Sequence, residues 1–306
     1  MRAKLTRKSL TTPHQRISLE ESREKGKITA DTMELLNTPS MEDYRHVLVY
    51  KHSDSKKMWV YGLKTKSGAE VLKCMKDLVE VQLRSDGIQM ERYHADGAGE
   101  LIGTHIRTYL AEHTSTARTQ VSWTPRDTPE LNSTSERANR TIKEMTLAML
   151  LESGLPSPLF WFQALQHSVY VLNRLPTRTS NGYISPYEYI YDKVPEVGDL
   201  KTWGCKAWAI IPKDSRRKEW KDKGKPGYYM GISTQPIGHK IYVPDLDEIV
   251  TTVHAVFDEN MPPRHEEYFD EIDNLTRTSS EKCADVKDFQ YLVGLNHVDG
   301  GIPYMI

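Results

Sequence analysis

From Lys27 onward the apolar positions follow two rhythms that take turns along the chain. Ile28 to Leu35, His46 to His52 and Met58 to Leu63 are short strand-like runs, separated by the turn-rich stretches Asn37-Thr38-Pro39-Ser40 and His52-Ser53-Asp54-Ser55. They predict three strands in a meander. Ser67-Gly68-Ala69-Glu70 has the spacing of a capping box, and Val71, Cys74, Met75, Leu78 and Val79 then recur at helical intervals. A helix is expected there. A fourth strand over Ile88 to His94 leads to Asp96, a short amphipathic helix covers Thr104 to His113, and Gln120 to Trp123 makes a fifth strand ahead of Thr124-Pro125. A second capping box, Ser133-Thr134-Ser135-Glu136, opens a helix with Ala138, Ile142, Met145 and Met149 on its apolar face and Gly154 as its stop. The following helix begins at Ser157-Pro158, with proline at its first position, buries Trp161, Ala164, Leu165, Ser168 and Leu172, and halts at Pro176.

The rhythm then changes. Thr177 to Gly198, rich in Pro, Gly and Tyr, reads as a connection. From Asp199 the apolar runs are short and separated by Gly and Pro: Lys206 to Ile211, Tyr228 to Ile232, Lys240 to Pro244 and Ile249 to Phe257. Such runs predict a small β-barrel. Residues 1–27 show no sustained apolar period and read as an arm or linker. Beyond Asn260 the chain is acidic and linker-like, with Phe289 to Val293 as a stretch able to pack locally.

Composition narrows the class. Of 306 residues, 38% are hydrophobic and 27% charged, which describes a soluble globular chain able to bury a substantial core. Neither a membrane span nor a signal-peptide apolar core is present, so the expected location is the nucleus and cytoplasm. Cys74, Cys205 and Cys283 stand alone, without the paired spacing that holds zinc, and are expected to be reduced and buried. A net charge of −1 conceals segregation: residues 1–27 carry eight Lys/Arg against three Glu, and residues 201–225 carry nine against three. From Asp245 to the end, fourteen acidic residues face four basic ones. Two basic segments favour contact with phosphates, and Arg216-Arg217-Lys218 is the densest cluster.

Two carboxylates draw attention within this frame. Asp96 ends a strand-like run and precedes Gly97 and Gly99, which places it at the carboxyl end of a strand, where open α/β sheets bind ligands. Glu136 lies in the first turn of its helix, on a polar face shared with Arg140 and Lys143. Taken singly, Asp-Gly is ordinary turn chemistry and Glu136 an ordinary cap. Their joint occurrence with Asp31 and with the sequence that follows points elsewhere.

Asp31, the Asp96-Gly97-Ala98-Gly99-Glu100 turn and Asn132-Ser133-Thr134-Ser135-Glu136-Arg137-Ala138-Asn139-Arg140 resemble the integrase core of copia-type retrotransposon polyproteins. The intervals, 96 − 31 − 1 = 64 and 136 − 96 − 1 = 39 residues, are similar to that family's. Leu155-Pro156, Phe160-Trp161, Asn173-Arg174-Leu175-Pro176-Thr177, Ser185-Pro186-Tyr187-Glu188 and Trp203-Gly204-Cys205 extend the likeness, and Tyr229-Met230-Gly231 and Val256-Phe257-Asp258-Glu259 carry it through the β segment. The resemblance covers about three-quarters of the chain, from Ile28 to Glu259.

It implies an α/β ribonuclease-H-like core of five mixed strands over residues 28–178, in which the first and fourth strands are neighbours. A connection over 179–198, an SH3-like barrel over 199–260 and an acidic tail over 261–306 complete the chain. It also implies an Asp31, Asp96, Glu136 triad holding two Mg²⁺ or Mn²⁺ ions, with Arg140, Lys143, Arg216, Arg217 and Lys218 on DNA. Paired hard cations about 3.5 to 4 Å apart neutralise the attacking and leaving oxygens of a phosphodiester exchange, and carboxylates suit them. Asp54, which also ends a strand-like run, is the alternative first ligand. The implied activity is 3′-end processing and strand transfer of element ends into target DNA by a homo-oligomer. A silent remnant that binds nucleic acid or a partner, and a nuclease that only hydrolyses, are the competing readings. The family's zinc-binding module has no counterpart in this sequence. Gly97-Ala98 replaces Asn-Gly after the second Asp, and Ser133 replaces Gly before the Glu.

Overall fold

The structure is a computed structural model, and the residues it describes are 26–113, 119–123, 133–153, 155, 158–210, 224–234 and 236–260, without the side chains of 133–136 and 158. Five strands form the first sheet: β1 (Lys27–Met33), β2 (His46–His52), β3 (Met58–Leu63), β4 (Arg92–Ala95) and β5 (Gln120–Trp123), in the order β3-β2-β1-β4-β5. β1, β2 and β3 pair antiparallel, while β1 pairs β4 and β4 pairs β5 in parallel. This is the ribonuclease-H-like order, with the first and fourth strands side by side.

Alternation along each strand sends side chains to opposite faces, and both faces are covered. Ile28, Ala30, Leu48, Tyr50, Trp59, Tyr93 and Ala95 pack against α1 (Gly68–Asp77), its π-helical continuation Leu78–Leu83, α2 (Gly99–Ile102) and α3 (Thr104–His113). Met33, Val47, Val49 and Met58 face α4 (Ser133–Glu152) and α5 (Trp161–Leu172) instead. α1 starts where its cap predicts: Ser67 Oγ accepts from the Glu70 amide at 3.3 Å. The Glu70 carboxylate turns back to Thr65, accepting from its amide at 2.8 Å and its hydroxyl at 2.7 Å, so it ties the helix to the loop before it.

Several expected boundaries move. The fourth strand begins at Arg92 rather than Ile88, because its partner β1 begins at Lys27 and the rung Lys27–Arg92 is the first available. Residues 88–91 belong to no strand. The buried stripe of α4 runs through Ala138, Ile142, Thr146 and Leu150, and Met145 and Met149 are only half-buried. Gly154, its expected stop, lies outside the described residues.

The connection is also more ordered than its composition suggests. A hairpin of β6 (Thr177–Thr179) and β7 (Gly182–Ile184) precedes α6 (Pro186–Tyr191), which Ser185 caps by accepting from the Glu188 amide at 3.0 Å. Asn173 anchors this region to the sheet. Its Oδ1 accepts from the Met58 amide at 2.9 Å and its Nδ2 donates to the Met58 carbonyl at 2.8 Å, so one side chain continues the ladder at the free edge of β3.

The second sheet is β8 (Lys206–Ile210), β9 (Gly224–Thr234), β10 (Ile237–Val243), β11 (Glu248–Thr252) and β12 (Ala255–Asp258), in the order β11-β10-β9-β8-β12. The single run expected over Ile249 to Phe257 is two strands, broken at Val253-His254 so that β12 leaves β11's neighbourhood and pairs β8. Its core is Cys205, Ala207, Ala209, Tyr229, Ile241 and Val243. Trp203 and Met230 belong instead to the cluster under α4 and α5, so the small β unit is fastened to the helix pair. Two glycines permit the approach. A Cβ on Gly204, at φ +78°, would lie 2.4 Å from Ser153 Cβ, and one on Gly231, at φ +116°, would lie 3.0 Å from His167 Nδ1. Cys74 and Cys205 are buried, and burial pushes both thiols up to about 11. Cys283 lies outside the described residues. Among the described residues no helix is long and apolar enough to cross a membrane.

Candidate active site

Ala30 and Ala95 form the last rung between the parallel strands β1 and β4, and Asp31 and Asp96 follow them. Neighbouring strands lie about 4.8 Å apart, so the two residues stand side by side where β4 ends, two residues before the end of β1. Because Ala30 faces α1 to α3, Asp31 faces α4. The helix meets it there: Asn139 Nδ2 donates to Asp31 Oδ2 at 2.8 Å. Asp96 Oδ1 accepts from the Ala98 amide at 3.2 Å, a side-chain-to-backbone turn that fixes the carboxylate where the strand ends. Both Asp residues are half-buried.

Glu136 falls in the first turn of α4, three residues before Asn139 and so on the same helix face. Its side chain lies outside the described residues. Among the described residues no three His, Cys, Asp or Glu side chains cluster at metal-binding reach. Carboxylate oxygens are hard donors of the kind divalent cations take, and Asp31 and Asp96 bring two carboxylates onto neighbouring strands.

Asp54 occupies the opposite end of β1. Its Oδ2 accepts from the Gly26 amide at 3.0 Å and lies 3.5 Å from His52 Nε2, while His52 Nδ1 is 2.9 Å from Ser55 Oγ. Ser, His and Asp thus meet within one β-turn, but Ser55 is fully buried, so the trio clamps the turn between β2 and β3. Burial holds the His52 ring below the usual imidazole range, and Asp54 partly opposes that.

The basic candidates separate. Arg140 is exposed, with Nε 2.7 Å from Glu144 Oε1, and Lys143 is half-buried two turns beyond Glu136 on the same face. Arg216, Arg217 and Lys218 lie outside the described residues. Two residues near the site escaped the sequence reading. Asn139 belongs to a motif, yet nothing in its local pattern announces a hydrogen bond to a residue 108 positions away. Lys51, paired with Thr29 two residues before Asp31, lies on the α4 face of β2. Burial, with Lys56 and Arg137 nearby, holds its ammonium down to about 8. Strand alternation places Lys51 on that face, but only tertiary structure shows how little water reaches it.

A family model described as the retroviral polymerase SH3-like domain matches residues 205–270. The chain is 29% identical over 234 residues to a retrovirus-related Pol polyprotein from transposon TNT 1-94 of Nicotiana tabacum, covering 76% of this chain and 17% of that one. It is 30% identical over 226 residues to the Pol polyprotein from transposon RE2 of Arabidopsis thaliana, covering 73% of this chain and 15% of that one. The chain therefore spans about a sixth of the length of these relatives. Among solved structures, the catalytic core domain of BIV integrase is similar with a TM-score of 0.41 at 15% identity, over 55% of this chain and 95% of that one.

Proposed function

Since this chain is a homologue of the Pol polyproteins of plant copia-type transposons and carries a retroviral polymerase SH3-like domain, we propose that it is the integrase portion of such a polyprotein, a polynucleotidyl transferase acting on DNA ends. The single observation that carries the reading is the neighbouring placement of Asp31 in β1 and Asp96 just past the parallel strand β4, with α4 docked onto Asp31 through Asn139. Asp31, Asp96 and Glu136 would hold divalent cations. When bound, Mg²⁺ or Mn²⁺ supplies charge neutralisation at the phosphodiester and lowers the pKa of a bound oxygen nucleophile.

The chain's own residues do the rest. Asp31 is oriented by the Asn139 amide, which donates to its Oδ2. Asp96 is held by its turn. Lys143, two turns along α4 from Glu136, meets substrate phosphate from the same face, and Arg140 extends that contact outward. Arg216, Arg217 and Lys218 contribute sequence-independent attraction to the duplex. Element ends and target DNA are the substrates, and a homo-oligomer would bring two ends together.

The test is joining of a labelled duplex carrying the element's terminal sequence to a target plasmid in Mg²⁺. Asp96→Asn should abolish product and Asp54→Asn should retain it. Equal loss with both would contradict the assignment of Asp96 over Asp54, and no product with the parent protein would leave a remnant that only binds.

A further inference from the structure

Trp123 ends β5 on the rung beside Ala95, one residue before Asp96 on the neighbouring strand. Ala30 and Ala95 on that rung are buried, but Trp123, at the sheet's outer edge, keeps 45% of its surface exposed. The cover it does have is a cation. The Arg107 guanidinium of α3 lies 4.7 Å from the indole centroid, and its Nε donates to the Ile102 carbonyl at 2.8 Å. That bond fixes the guanidinium against the ring. Among the described residues no carboxylate pairs with Arg107, and the Nε–H is only one of the five donors of its guanidinium.

An indole and a guanidinium held in register offer two chemistries at once. The aromatic surface stacks on a planar base, and the Nη edge donates to phosphate oxygens. The pair lies on the α3 side of the sheet's outer edge, one strand from Asp96, and a cation held over an exposed ring there favours a nucleic-acid strand.

We propose that Arg107 and Trp123 form a strand-holding contact that stacks an unpaired base on the indole and binds the adjoining phosphate, positioning the strand at the sheet edge beside Asp96. The contact presupposes the polynucleotide substrate proposed above. Unpaired bases are its ligand because a base inside a duplex presents no free π-face. Its place beside the carboxylates suits the frayed terminus of a DNA end.

The test is fluorescence anisotropy of the full chain with a fluorescein-labelled single strand, and with duplexes that are blunt or carry unpaired terminal bases, all without metal. Trp123→Ala should weaken single-strand and frayed-end binding by about tenfold and leave blunt-duplex binding within about twofold. Trp123→Phe, which keeps a π-face, should restore most of the loss. Arg107→Gln should lower the magnitude of the salt slope by about 0.7 on the single strand, the loss of one phosphate contact. Unchanged affinity in Trp123→Ala, or equal loss on blunt and frayed duplexes, would overturn the proposal. The assay contains no transfer step, so the contact can fail while strand joining persists. It can equally hold in a chain that joins nothing.

Discussion

His167 sits where α5 meets the small β unit, 4% exposed, its ring stacked on Tyr170 and edge-on to Tyr229. Among the described residues its buried Nδ1 has no hydrogen-bond partner, and burial, aided by Arg174, holds the imidazole down to about 4 against an ordinary 6.5. The folded state therefore wants His167 neutral. As pH falls through the ordinary value, the unfolded chain gains a proton that the folded chain refuses, so stability is present above that pH and is lost on the way down to about 4. A shift of about 2.5 units is worth about 3 kcal/mol in full, of which about 2 kcal/mol has gone by about pH 5. Below about pH 4 both states are protonated and the loss levels off. Urea unfolding of the parent and of His167→Leu, at about pH 7.5 and about pH 5, measures the effect. Leu cannot titrate, and carboxylates and His52 contribute equally to both proteins, so the variant should lose about 2 kcal/mol less than the parent over this interval. The same acid-induced loss in both proteins would show that the ring is hydrated or hydrogen-bonded, and would refute the buried, partnerless His167.

Two further outcomes follow from the fold. Asn173→Ala strips both partners from the buried Met58 backbone, and at about 1 to 3 kcal/mol for each group left unsatisfied it should cost about 2 to 5 kcal/mol in urea unfolding; a loss below about 1 kcal/mol would mean that water replaces the amide. Lys51→Met removes an ammonium that burial makes costly, and should stabilise the protein by about 1 to 3 kcal/mol near neutral pH. The parent should regain that difference between about pH 8 and 10.5, where the unfolded chain holds the extra proton, and Lys51→Met should not.

How far the sequence reaches depends on whether a feature is local. β2, β3, α3 and β5 appear with the expected boundaries, because apolar period and turn residues at each end agree. The neighbouring placement of Asp31 and Asp96 was implied by the family resemblance, since the element order by itself leaves the strand order open. Where a partner elsewhere decides, the sequence is silent. β4 starts only where β1 starts, and the break at Val253-His254 exists because β12 has to reach β8. The hairpin and α6 were hidden by their shortness, although Asn181-Gly182 and the Ser185 cap mark them. At the site, the carboxylates were legible as a pattern. Asn139 on Asp31, Lys51 beneath α4 and Arg107 on Trp123 were not, since each joins residues that are far apart in sequence or depends on how much water is excluded.

The central claim is that Glu136 completes a metal-binding transfer site with Asp31 and Asp96. The measurement is the rate of strand transfer by the full chain as Mg²⁺ is raised, for the parent and for Glu136→Gln. Gln keeps the capping geometry and removes the charge. The account predicts Mg²⁺-dependent joining by the parent, a rate at least about 10³-fold lower for Glu136→Gln, equivalent to about 4 kcal/mol of transition-state stabilisation, and unfolding free energy equal to the parent's or higher. Equal rates in the two proteins would return Glu136 to a helix cap and contradict the account.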